Sequence, residues 1–117
     1  MTDKKKFLVL FQVPQSVIAD WMKTDPEVRK PAEQKMQADW GKWMAAHGKM
    51  IVNTEVGGKT KRVTTGGIAD FKNDIMLTAV VEAESQDEAA QPFADHPHLG
   101  IPQASIEVME LKQMGPM

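Results

Sequence analysis

The sequence has no cysteine. That excludes a disulfide framework, a thiol nucleophile, a thiolate metal site and a cysteine-held iron-sulfur cluster, and it is compatible with a reducing compartment. Positive charge is not in excess either. Fourteen Lys and Arg face sixteen Asp and Glu, for a formal net charge of -2, so the chain lacks the basic balance of a nucleic-acid binder. Long apolar runs are missing too. Lys4, Lys5 and Lys6 followed by Phe7 to Phe11 superficially resemble an export signal, but the run breaks at Gln12 and Pro14 with no small-residue cleavage pattern. The stretch therefore reads as a buried strand behind a solvated lead-in, and the protein as cytoplasmic, with no membrane association. There is no Gly-rich phosphate loop, nucleophile elbow or zinc-protease spacing, which excludes nucleotide, serine-hydrolase and metalloprotease chemistry of those kinds. No internal repeat, low-complexity segment or linker is visible.

What is present is ordinary for a globular protein. The chain has 117 residues, 42% hydrophobic and 26% charged, which argues for one folded domain over residues 1–117.

Hydrophobic spacing orders that domain. In Lys5 to Val13, Phe7, Val9, Phe11 and Val13 share one face and Leu8 and Leu10 the other, the pattern of a central strand covered on both sides. Pro14 ends it. A short helical segment with Val17, Ile18, Trp21 and Met22 comes next, until Thr24, Asp25 and Pro26 interrupt. Pro31 suits the first turn of a longer helix, where Ala32, Met36, Trp40, Trp43, Met44 and His47 recur along a face expected to pack on a sheet. Gly41 within it reads as a point of close backbone packing, and Gly48 as a left-handed C-terminal cap.

Lys49 to Val56 predicts a second strand, with Gly57-Gly58 as the tight turn of a hairpin into a third strand over Thr60 to Thr65. After Gly66-Gly67 and a polar loop through Asp74, a fourth strand has Ile75, Leu77, Ala79 and Val81 on one face and Met76 and Val80 on the other. Ser85 and Glu88 form a capping-box pair for a second helix that runs to about Ala94, bent or shortened by Pro92 and stopped before Pro97. Ala104 to Lys112 is the last strand, with Ile106 and Val108 opposed to Met109 and Leu111.

The order strand, helix, three strands, helix, strand predicts an α+β, ferredoxin-like antiparallel sheet with an extra hairpin strand and its helices on one face. Two helices cover one face only. The first and fourth strands are apolar on both, so the other face calls for a second copy of the chain, a homodimer packed through its sheets.

The stretch from Val63 to Lys72, the strand from Ile75, the segment Ala83 to Ala90, Asp95-His96-Pro97-His98 and the ending Ser105 to Val108 resemble the YCII-related group, including its DGPF branch. Gly66, Ala69, Asp70 and Lys72 agree with that branch, while Thr65, Gly67 and Ile68 stand where it has Asp, Pro and Phe. The resemblance implies a dimeric α/β barrel, each subunit enclosing a pocket between helices and sheet. It also implies an acid/base dyad in which an early-helix His pairs with an Asp. Asp95 stands at the Asp position here, and the early helix offers Glu33, Met36 and Gln37 instead of His.

His96, with Asp95 beside it, is the candidate catalytic residue, since an imidazole there serves as general acid or base near neutral pH; its plainer role is to end the helix. His96 and His98 lack a third ligand, so no metal site is predicted. Asp70 and Lys72 match positions of the resemblance and are placed to orient a ligand, or to form a solvated ion pair. Trp40 and Trp43 either wall a pocket for a flat ligand or belong to the core. Glu107, alternating with apolar neighbours, points into a pocket or the dimer interface, where burial would raise its pKa. Two functions are open: a cofactor-independent enzyme, such as a lyase, isomerase or monooxygenase-like protein acting on a small cyclic or aromatic metabolite, and a non-catalytic module that binds a small apolar or aromatic molecule or a partner.

Overall fold

The structure, a computed structural model, describes residues 4–115. Strand β1 (Lys5–Gln12) leads into helices α1 (Gln15–Lys23) and α2 (Pro26–His47). Strands β2 (Ile51–Val56), β3 (Thr60–Thr64), β4 (Gly67–Phe71) and β5 (Ile75–Ala83) come next, then helix α3 (Gln86–Ala90), two short 3-10 turns at Gln91–Asp95 and Pro97–Gly100, and strand β6 (Ser105–Leu111). Four strands form one antiparallel sheet in the order β2-β5-β1-β6, while β3 and β4 pair only with each other. This is an α+β architecture consistent with a ferredoxin-like fold, and the Lys4–Phe11 stretch is the lead-in and central strand of its sheet.

One face of the sheet carries the core. Phe7, Val9 and Phe11 on β1 register with Val81, Ala79 and Leu77 on β5, and Trp43 of α2, Ala89 of α3 and Phe93 pack onto them. Among the described residues nothing covers the opposite face. Leu8 and Leu10 register there with Val80 and Thr78 on one side and with Met109 and Glu107 on the other; Met109 is 49% exposed. The chain forms a slab of 52 × 45 × 19 Å, thin because one helical layer lies on one sheet.

Several elements differ from the sequence reading. α2 starts at Pro26, not Pro31, because the Asp25 side chain caps it by accepting from the Glu27 N–H at 2.9 Å. Pro31 then sits in the second turn and leaves one helical hydrogen bond unmade. The first half of α2 overhangs: Ala32 is exposed, and the packing residues begin at Met36 and concentrate at Trp40, Trp43 and Met44. Gly48 is right-handed (φ -64°) and continues into a 3-10 turn.

Gly57-Gly58 is not a hairpin turn. The Gly57 N–H donates to the Met76 carbonyl at 2.7 Å, which extends the β2–β5 pairing, and a Cβ at Gly57 would stand 3.1 Å from the Ile75 carbonyl oxygen. The hairpin closes instead at Thr65-Gly66, and Gly67, which opens β4 opposite Thr64, has φ 131°. β2 prefers β5 because Ile51 gains an apolar neighbour in Val81, whereas β3 (Thr-Lys-Arg-Val-Thr) has one apolar residue to bury. The α3 cap is as expected: Ser85 Oγ accepts from the Glu88 N–H at 3.1 Å. Pro92 confines the α-helix to five residues and tightens the next turn into a 3-10 segment.

Candidate functional site

The sequence candidates fall into three separate places. The first is the helix-sheet core. The 3-10 turn at Gln91–Asp95 ends where Pro97 begins the next, and the bend between them turns His96 inward. Its ring is 2% exposed and lies edge-to-face with Trp40, centroids 4.2 Å apart at 87°, and 4.6 Å from Trp43, with Phe11 at 5.1 Å.

His96 Nδ1 accepts from the His98 backbone N–H at 3.0 Å. That fixes the neutral tautomer, with the proton on Nε2, and among the described residues Nε2 has no hydrogen-bond partner. Burial, with some help from His98, pushes its pKa down to about 4, so the ring is neutral at pH 7 and presents a donor. His98 is also buried, and its Nε2 donates to the Gln12 carbonyl at 3.0 Å. Burial lowers its pKa, while the carbonyls of Gln12 and Ser105 favour the protonated ring. Gln12 and Ser105 are register partners on β1 and β6, so His98 ties the turn to the end of that strand pair.

Asp95, the expected companion, is exposed and makes no hydrogen bond to His96. Trp43 is 6% exposed and its Nε1–H donates to the Pro92 carbonyl at 2.8 Å; Trp40 lies against Phe11 at 5.4 Å. Both tryptophans fill the space beside His96 instead of walling a cavity.

The second place is a groove of about 960 Å³ between the start of α1, the root of the β3–β4 hairpin and the start of β5. Asp70 and Lys72 line it, with Ile18, Val56, Phe71 and Met76 as apolar surface. Polar contacts fix its base: the Val13 N–H donates to the Asp74 carbonyl at 2.8 Å, the Gln15 N–H to Asp74 Oδ1 at 3.2 Å, and the Gln15 side chain to the Asn73 carbonyl. Asp70 is ion-paired with Lys61 across the hairpin. His96, Trp40 and Trp43 do not line this groove. The sequence reading missed its apolar side, because Ile18, Phe71 and Met76 come from three elements and no one periodicity links them.

The third place is the open sheet face. Glu107 lies there and accepts from Gln12 Nε2 at 2.7 Å; it is exposed within the chain. Among the described residues no group of three or more His, Asp or Glu side chains could hold a metal ion, and no helix is long and apolar enough to cross a membrane. No family model and no curated protein matches the chain.

Proposed function

We propose that this protein is a YCII-related, cytoplasmic homodimer of the dimeric α/β barrel kind, a non-catalytic module that holds a small cyclic or aromatic molecule in the groove at the hairpin root. The observation that carries the reading is the separation of the two candidate sites. The groove has volume, apolar surface and the polar pair Asp70 and Lys72 at one place, the composition of a small-molecule site, whereas the imidazole suited to chemistry is sealed among aromatic rings. The dimer reading rests on the open sheet face, where Leu8, Leu10 and Val80 are half-buried and Met109 and Leu111 exposed. A second copy laid on it removes that apolar surface from water at about 25 cal/mol per Å².

A second reading, the cofactor-independent acid/base enzyme, is favoured by one observation: the buried, unpartnered Nε2 of His96. In its neutral form that nitrogen would donate a hydrogen bond to a substrate oxygen, once a substrate displaced Trp40 or Trp43.

A thermal-shift series with small aromatic and cyclic acids separates the two, since a ligand of the folded state raises Tm. The module reading expects shifts that Phe71→Ala and Lys72→Ala abolish and that His96→Gln leaves in place. Shifts lost only in His96→Gln, accompanied by turnover of the compound, would replace it with the enzyme.

A further inference from the structure

The β3–β4 hairpin is an arm that leaves the slab. Nine of its ten strand residues are exposed, and Val63 and Ile68, directly opposite each other in the register, are each 71% exposed. A two-stranded hairpin alone in water is marginal, and an apolar cross-strand pair contributes little while both members face solvent. Its charge is one-sided. Lys59, Lys61, Arg62 and Lys72 stand against Asp70 alone, a net +3 on a chain whose total is -2.

The open sheet face is its complement. Along the strands that form it, register places Leu8, Leu10, Val80 and Met109 together with Glu55, Glu82 and Glu107, and Lys6 is the one cation among them. An apolar, cationic arm and an apolar, acidic face thus occur on the same chain, and among the described residues nothing covers the apolar surface of either.

We propose that the β3–β4 hairpin of each copy lies on the open sheet face of the other, with Val63 and Ile68 against its apolar centre and the arm's cations near its acids. This rests on the dimer reading above and makes it specific: the partner's arm, in place of its bare sheet, covers the apolar centre, and an isologous pair uses arm and seat twice. The groove at the hairpin root then lies beside the interface, and the partner's approach fixes the hairpin that carries Asp70 and Lys72.

The test measures the dimer dissociation constant by sedimentation of the full chain, for the wild type and for V63E/I68E, whose exposed sites leave the fold intact by circular dichroism. The double variant is expected to weaken the dimer about tenfold or more, and adding E55K/E107K to restore much of it. A dimer untouched by V63E/I68E would overturn the arm while leaving the sheet-face dimer standing. Weakening without rescue would overturn the sheet face as the arm's seat. A monomeric wild type would remove the dimer reading and the arm together.

Discussion

The His98 backbone N–H donates to Nδ1 of His96 at 3.0 Å, so the two histidines flanking Pro97 are tied to each other by a hydrogen bond. The contact sets the tautomer of His96 and leaves its other nitrogen as a buried donor among aromatic rings.

Stability should therefore fall in mild acid. The folded pKa of His96 lies near 4, below its ordinary 6.5, so the unfolded chain binds the extra proton first as pH drops. The neutral-ring stability is complete above about 6.5 and is lost as pH falls through about 4, an effect on the order of 2–3 kcal/mol. Urea midpoints at pH 7.5 and pH 4.5 measure it. The drop should shrink in His96→Phe, and an equal drop in that variant would assign it to other groups.

Truncating Trp43 should cost more than any surface change. Trp43→Ala removes a buried indole and its hydrogen bond to Pro92 and should destabilise by about 3–5 kcal/mol, whereas Trp43→Phe, which keeps most of the packing, should cost about 1–2 kcal/mol. Chemical denaturation gives both values.

Two glycines should respond in opposite directions. Gly57→Ala places a Cβ against the Ile75 and Met76 carbonyl oxygens and should destabilise by about 1 kcal/mol or more. Gly41 lies in α2 with nothing within 4 Å of an added Cβ, contrary to close packing there, so Gly41→Ala should stabilise by roughly 0.5–1 kcal/mol. Thermal melts of the two variants decide the signs.

The sheet-face dimer makes its own prediction. Leu10→Asp puts a charge at the centre of the open face, beside Glu107 and Thr78 in register, and should convert dimer to monomer in light scattering on a sizing column while leaving the far-UV spectrum unchanged. The core lies on the other side of the sheet, so an unfolded variant would contradict that placement.

The sequence by itself determined three elements through local signals. The alternation of Phe7, Val9 and Phe11 placed β1, the Ser85-Glu88 pair placed the start of α3, and Ile106 and Val108 placed β6 with its faces correctly opposed. Residue spacing fixes these, because a period of two or a capping pair reads the same in any surroundings. Only the tertiary structure decided which strands pair. Gly57-Gly58 reads as the hairpin turn and the stretch after Gly66 as a loop, yet the hairpin closes at Thr65-Gly66 with β4 following it, and that choice was made by β5, a distant strand able to bury Ile51 beside Val81. The same holds for the site. Asp95 and His96 are neighbours in sequence, yet a proline-bounded bend turns one to solvent and the other into the core. Spacing along a chain sets which residues can share a face, but burial against distant residues sets which of them meet.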